Sequence, residues 1–278
     1  MPSVLITGSN RGIGLGLAKA YLEQGYTVIG AVRDPPKQPP LEGLITVKID
    51  AESDTDAFEA VTSLKSRGIT TLDLVIANAG VGGEMTPFTS IGAESLMDTF
   101  KVNTIAPLLL FQATLPLIPK GGKFVVLSTM MALTGEEMYH QAGQDAYRVS
   151  KVVRLGTRSS IDSGFWALDS QLSALRSRLV TLDASLSLSA LDFCSGRHAV
   201  NFIARTLHFE HPDLTIFTIS PGWVDTDMGS WGAAQRGMSS PPQKLSDTLP
   251  KIVATITAAT RERESGRMVD YDGSLAGY

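Results

Sequence analysis

This sequence predicts a doubly wound α/β fold, a parallel sheet of about seven strands covered by helices on both faces, and three observations carry that expectation. Short apolar runs alternate along the chain with stretches of helical periodicity. The first run leads directly into a glycine-rich turn that opens a helix. The 278 residues, 43% of them hydrophobic, can bury a substantial core, and no glycine- or proline-rich linker divides them, so 1–278 reads as a single domain.

The strands are expected at residues 4–7, 27–32, 45–49, 72–77, 124–128, 215–220 and 267–271. The first, Val4-Leu5-Ile6, feeds Thr7-Gly8-Ser9-Asn10-Arg11-Gly12-Ile13-Gly14, and Leu17, Ala18, Tyr21 and Leu22 follow at helical spacing. In that order of strand, turn and helix, Gly8 permits the tight turn, Gly12 lets a diphosphate approach the backbone, and Gly14 lets the helix pack on the strand. The helix N-terminus adds amide donors and a positive dipole. The second strand ends in Gly30-Ala31-Val32-Arg33, the third in Asp50-Ala51, the fourth in Asn78-Ala79-Gly80 and the fifth in Ser128-Thr129. Such ends of parallel strands border the crevice where a dinucleotide lies. The apolar stretch 104–118 carries Pro107, Gln112 and Pro116, so it is too short and broken to span a bilayer and reads as a buried or interface helix.

Tyr147 and Lys151 stand one helical turn apart and so share a face. A free tyrosine titrates near about 10. A neighbouring ammonium favours the phenolate and brings that value toward neutrality, where protonation of a carbonyl oxygen becomes efficient.

Taken in order, the TGxxxGIG turn at Thr7 to Gly14, Asn78-Ala79-Gly80, Asn103 in the following helix, Ser128-Thr129, the Tyr147 and Lys151 pair, and Pro221-Gly222 with Thr226 resemble the short-chain dehydrogenase/reductase family, with its Rossmann-type sheet. The likeness runs from Pro2 to Lys151 and resumes from Ala199 to Tyr278. The wording from Ser220 to Met228 and the ending Val269-Asp270-Tyr271-Asp272-Gly273 are similar to small NADPH-dependent carbonyl reductases and fungal ketoreductases.

The resemblance implies an oxidoreductase that reduces a ketone by hydride transfer. Tyr147 would be the general acid, and Lys151 would lower its pKa and hold the nicotinamide ribose. Asn103 would anchor a water in the proton path, and a hydroxyl at the end of the fifth strand would bond the substrate oxygen. Alignment with a strand ending in two serines puts that hydroxyl on Thr129, with Ser128 as the fallback, because alternation along a strand sends the two to opposite sides. Cofactor contacts are implied for Gly8, Asn10, Arg11, Gly12, Ile13, Gly14, Arg33, Asp50, Asn78, Ala79, Gly80, Asn103, Tyr147, Lys151, Pro221, Gly222, Val224 and Thr226. Arg33 stands where NAD-binding relatives place an acid, and Arg11 adds a second guanidinium, so NADP(H) is expected. The competing account pairs Arg33 with Asp34 at the surface.

Where relatives continue one helix after Lys151, residues 152–197 intervene, rich in serine and leucine and without Lys, Glu or Pro. Leu168, Leu172, Leu175, Leu179, Leu182 and Leu186 recur at helical spacing, as in a lid or an interface segment. Against that, the placement inside a motif looks like a translated intron, and both readings stay open. Met130, Met131, Met138, Tyr139, Trp223, Met228, Trp231 and Met238 fall where a pocket mouth is expected, which points to a bulky apolar or aromatic ketone, polyketide-derived by resemblance. A non-catalytic NADP(H)-binding sensor, or an inactive mis-spliced form, is the alternative of another class.

A net charge of −4 argues against a nucleic-acid surface. The chain opens with no basic segment followed by an apolar core, and Cys194 is its single cysteine, which together point to the cytoplasm. His140, His198, His208 and His211 lack metal-ligand spacing, and 208–211 reads as a solvated helix end. Relatives pair through the helices bearing Asn103 and Tyr147, so the resemblance implies a homodimer or homotetramer with a small-molecule carbonyl substrate.

Overall fold

The seven apolar runs form a single sheet in a computed structural model, which describes residues 1–82, 92–130, 199–235 and 237–276. The strands are β1 (Ser3–Thr7), β2 (Thr27–Val32), β3 (Ile45–Lys48), β4 (Leu74–Ala77), β5 (Lys123–Leu127), β6 (Thr215–Ser220) and β7 (Met268–Asp270). All pair in parallel, in the order β3-β2-β1-β4-β5-β6-β7. The chain begins in the middle of the sheet, winds outward through β2 and β3, then returns to the other side of β1. The switch point therefore falls between β1 and β4, where a crevice opens beyond their C-terminal ends.

Period-two alternation distributes each strand between two cores. Val4, Ile6, Val28, Ile76, Val125, Phe217 and Ile219 face α1 (Gly12–Glu23) and α7 (Leu245–Ala258), meeting Leu17, Tyr21, Ile252 and Ile256. Leu5, Ile29, Val75, Phe124, Val126 and Ile216 face the other way, onto α2 (Asp56–Ser66), α4 (Ala106–Thr114) and α5 (Ala199–Glu210). Phe111 of α4 meets Phe124 of β5 edge to face at 5.0 Å. Burying each such large side chain contributes about 1.5–3 kcal/mol.

The stretch 104–118 is a buried helix, as its composition suggests. It opens in a π turn, Lys101–Ile105, which continues α3 (Ala93–Phe100) into α4, and Pro107, which has no amide to donate, falls directly after that irregular turn. No helix among the described residues is long and apolar enough to cross a membrane. The helix α5 starts at Ala199, where the family pattern resumes, with Val200, Ala204 and Leu207 buried against the sheet. Tyr147, Lys151 and the segment 152–197 lie outside the described residues.

Strand boundaries differ from expectation by one or two residues at β1, β3, β4, β5 and β7, and the hydrogen bonds at β4 and β5 show how the chain leaves the ladder there. The amide of Leu72 goes to the carbonyl of Leu117 at 2.8 Å, and the carboxylate of Asp73 accepts from the Ser3 amide at 2.7 Å and hydroxyl at 2.9 Å, so β4 starts only at Leu74. β5 ends at Leu127, one residue early, although the Ser128 amide still reaches the Ile219 carbonyl at 2.8 Å. The segment 208–211 is more than a solvated helix end: His208 Nδ1 lies 2.7 Å from Ser265 Oγ, and His211 packs edge-on against Phe111. Burial, with Arg261, Arg205 and Arg267 nearby, holds His208 below the usual imidazole range.

Asp56 in the first turn of α2 secures the end of β3. Its Oδ2 accepts the Asp50 amide at 2.9 Å and lies 3.2 Å from Lys48 Nζ. Burial by itself would push this carboxyl up, but the Asp50 amide, Ser53 and Lys48 outweigh it and hold it below the ordinary carboxylate range. Replacing Asp56 by Asn should cost about 1–3 kcal/mol in urea unfolding near neutral pH. A group with a depressed folded pKa stabilises above its unfolded value of about 4 and loses that contribution as pH falls through the folded value. The gap between the two proteins should therefore close in acid, and a gap that persists unchanged there would show that Asp56 does not act through its charge.

Candidate active site

A cavity of about 860 Å³ opens at the C-terminal ends of the strands, within the range of small-molecule sites. Its floor is the switch point. There the Thr7 hydroxyl accepts the amides of Asn78 and Ala79, both at 3.0 Å, while Asn78 Nδ2 donates to the carbonyls of Thr7 at 2.7 Å and Gly8 at 3.3 Å. These bonds hold the turn after β1 against the end of β4 so closely that two glycines become obligatory. Gly8 adopts φ +67°, and a Cβ there would also press on Ala79 and Asn78 at 3.1 Å; a Cβ on Gly14 would collide with the Gly8 carbonyl and with Asn78 Nδ2. The turn thus brings the N-terminus of α1, which carries partial positive charge, to the cavity wall.

Most of the residues expected at the site do converge. Gly8, Asn10, Arg11, Gly12, Ile13, Gly14, Arg33, Asp50, Asn78, Ala79, Gly80, Ser128, Thr129, Pro221, Gly222, Val224 and Thr226 all line the cavity. Asn103 sits just behind it, fully buried in the π turn. Its Oδ1 accepts the Val81 amide and its Nδ2 donates to the Val81 carbonyl, each at 3.0 Å. Its side chain therefore shapes the loop after β4, and π turns, rare in general, recur near functional sites. Tyr147 and Lys151 belong to the residues not described.

At one end of the cavity the charges do not follow the competing account, which paired Arg33 with Asp34. Asp34 bonds Lys37 at 3.1 Å, while Arg33 reaches across to Glu52 at 3.8 Å. The turn Pro35–Lys37 after β2 brings Lys37 back onto Asp34 and leaves Arg33 facing the loop after β3. Lys37 and Glu52 line the cavity and were not singled out from the sequence; Lys37 follows a Pro-Pro pair, the one local signal for a turn that could have pointed to it. Arg11, expected to meet a phosphate, pairs with Asp227 at 3.0 Å across the mouth, in an ion pair exposed on both sides.

At the other end, Ser128 and Thr129 follow β5 after it has ended, so strict alternation no longer separates them, and both line the cavity. Ser128 is 3% exposed, and its Oγ has no hydrogen-bond partner among the described residues. Thr226 caps α6 (Asp227–Ala234), its hydroxyl accepting the Gly229 amide at 3.2 Å, and Trp223 Nε1 donates to the Gly229 carbonyl at 3.0 Å. Of the apolar residues expected at the mouth, Met130, Trp223, Met228, Trp231 and Met238 line it, and Met131, Met138 and Tyr139 lie outside the described residues. Gln243 and Asp270 line it too, and neither belonged to the expected set.

The arrangement suits a long, partly anionic ligand: amide donors and a glycine turn in the middle, exposed cations at one end, hydroxyls and aromatic rings at the other.

Residues 2–156 match the family described as short chain dehydrogenase, a match that stops just past Lys151. The norsolorinic acid ketoreductase of Aspergillus parasiticus is 32% identical over 286 aligned residues, covering 97% of this chain and 89% of that protein. Among solved structures, the carbonyl reductase Sniffer of D. melanogaster superposes with a TM-score of 0.73 at 22% identity, covering 100% of both chains. The NADPH-bound carbonyl reductase from chicken fatty liver superposes with a TM-score of 0.72 at 19% identity, covering 100% of this chain and 99% of that one. At these identities the two structures establish the fold.

The Thr7 hydroxyl is open to a direct test. Thr7→Val keeps the shape but leaves the Ala79 amide without its acceptor, which should cost about 1–3 kcal/mol in chemical denaturation, with Thr7→Ser recovering most of it. Unchanged stability in the valine variant would show that the tie across the switch point is dispensable.

Proposed function

We propose that this chain, which belongs to the short-chain dehydrogenase/reductase family, reduces a bulky or aromatic ketone, polyketide-derived in kind, with NADPH as the electron donor. The observation that carries this is the convergence, in one cavity, of the glycine turn, the cations after β2, the hydroxyls after β5 and the 221–226 loop. A related protein of the same family named as a ketoreductase, and a solved neighbour that binds NADPH, support the same reading.

The residues present fit NADP(H). Gly8, Gly12, Ile13 and Gly14 with the α1 N-terminus would hold the diphosphate, Asp50 would flank the adenine, and Asn78, Ala79 and Gly80 the adjoining ribose. Arg33 would take the ribose phosphate. Its contact with Glu52 is long and exposed, worth little in water, and a doubly charged phosphate would outcompete it. Arg11 would add to this only by leaving Asp227, an exchange of one exposed partner for a more strongly charged one. Pro221, Gly222, Val224 and Thr226 would enclose the nicotinamide end.

The chemistry such a cofactor supplies when bound is hydride donation to a carbonyl carbon. The chain's own part is to supply the proton and to hold the carbonyl. Tyr147 gives its phenolic proton to the carbonyl oxygen, Lys151 lowers the phenol's pKa and holds the ribose hydroxyls, and Asn103 anchors the water that returns the proton. Thr129, with Ser128 as its alternate, donates a hydrogen bond to the same oxygen. The unpartnered Ser128 Oγ supports a hydroxyl waiting for a ligand, since a buried polar group left unsatisfied costs about 1–3 kcal/mol. The residues 1–278 act as one catalytic domain, with 152–197 an atypical insertion in it.

The experiment is NADPH oxidation followed by absorbance with a panel of aromatic ketones. Tyr147→Phe should abolish reduction and leave the NADPH dissociation constant nearly unchanged; retained turnover would overturn the assigned role. Arg33→Asp should move the preference from NADPH toward NADH, and an unaltered ratio of the two kcat/KM values would show that another residue reads the phosphate.

A further inference from the structure

Among the described residues, each cation that lines the cavity already has a carboxylate of its own. Lys37 is held by Asp34 at 3.1 Å, Arg33 by Glu52 at 3.8 Å and Arg11 by Asp227 at 3.0 Å. The first two pairs are local to the loops after β2 and β3. The third differs in kind, because Arg11 stands in the glycine turn just before α1, whereas Asp227 is the first residue of α6, 216 positions further along the chain. Their neighbours approach each other too: a Cβ on Gly12 would lie 3.4 Å from the Thr226 methyl. The ion pair therefore ties the phosphate-binding turn to the helix whose Met228 and Trp231 line the mouth.

Asp227 is well placed to hold a guanidinium and equally well placed to lose it. Thr226 caps α6 by accepting the Gly229 amide at 3.2 Å, which fixes the backbone that carries Asp227. In that first turn the free amides of the helix favour a carboxylate, so Asp227 keeps a favourable surrounding when Arg11 departs. Both side chains are mostly exposed, so parting them leaves no buried charge. An exposed pair of this kind is worth little, whereas a phosphate dianion can take two parallel bonds from one guanidinium. A ligand bearing such a phosphate would win Arg11, and its net affinity would be lowered by the energy of the pair given up. A ligand without one leaves the pair intact and loses nothing.

We infer that Asp227 is a coenzyme-discriminating residue: it competes with the ribose phosphate of NADPH for Arg11, and so tempers the preference for NADPH over NADH. This rests on the NADPH reading of the cavity and deepens it. The acid lies on the far side of the mouth from the loops after β2 and β3, so occupation of the phosphate site also releases the ion pair between the glycine turn and α6. A grip moderated in this way suits a coenzyme that must leave after each turnover.

The test uses the adenosine halves of the two coenzymes, the bisphosphate half of NADPH and the monophosphate half of NADH, which lack the nicotinamide end that the 221–226 loop would enclose. Each would be titrated into the whole chain by calorimetry at low ionic strength, where an exposed ion pair is least screened. The native chain should bind the bisphosphate half more tightly. Asp227→Asn should raise the affinity for the bisphosphate half about threefold and leave that for the monophosphate half unchanged. Asp227→Glu keeps the carboxylate and should behave as the native chain. On an Arg11→Gln background, Asp227→Asn should have no effect, because the contested guanidinium is gone. An unchanged affinity in Asp227→Asn overturns the inference. So does an equal gain for both halves, or a gain that persists without Arg11, either of which would show that Asp227 acts only through net charge. In all three cases a native preference for the bisphosphate half would still support the NADPH reading. Equal binding of the two halves, both by the native chain and by Asp227→Asn, overturns the inference and that reading together.

Discussion

The arrangement depends on one tie, between the end of β1 and the end of β4. The Thr7 hydroxyl and the Asn78 amide exchange bonds with each other's backbone across 71 residues of sequence. At the opposite end of the same two strands, Ser3 and Asp73 do likewise, so the central pair is pinned top and bottom. The crevice exists because the chain reverses its winding direction there, and it keeps its shape because these polar groups are satisfied only when the strands are in register. Gly8 and Gly14 follow from this closeness; no side chain can stand between the turn and Asn78.

Around that rigid floor the charged rim is built from weak, exposed contacts. Arg11 with Asp227 and Arg33 with Glu52 are ion pairs that water screens and that stabilise the fold little. Their cost of rearrangement is low for the same reason, which is compatible with the proposed exchange of a neighbour for a cofactor phosphate. The buried polar groups behave in the opposite way. Asn103 spends both ends of its amide on Val81, and Asp56 holds Asp50 in place. Such groups set geometry and would be expensive to move.

The far end of the cavity combines apolar rings with two buried polar groups. Ser128 Oγ and Gln243 Oε1 are both buried without a hydrogen-bond partner among the described residues. Of five such atoms among the described residues, these two belong to residues lining the cavity. Met228, Trp231 and Met238, each about two-fifths exposed, form a lip that a flat ligand would cover. Together they are compatible with the bulky ketone proposed as the substrate.

Much of this was legible in the sequence, wherever the physics is local. Alternation of apolar runs located all seven strands, because strands buried on both faces must be continuously apolar, and the glycine spacing located the turn and helix of β1 and α1. The residue types around Arg33, Asn78 and Pro221 placed themselves at strand ends for the same reason. What the sequence could not decide is which distant side chain each of these meets. Arg33 stands beside Asp34 in the chain yet faces Glu52 in space; Arg11 finds Asp227, 216 residues away; Gly222 carries the amide of Gln243. Those partnerships are fixed by how the loops after β2, β3 and β6 close over the strand ends, and a hydrogen bond or ion pair, being short-ranged and directional, answers to that three-dimensional closure and to nothing written in the spacing of residues along the chain.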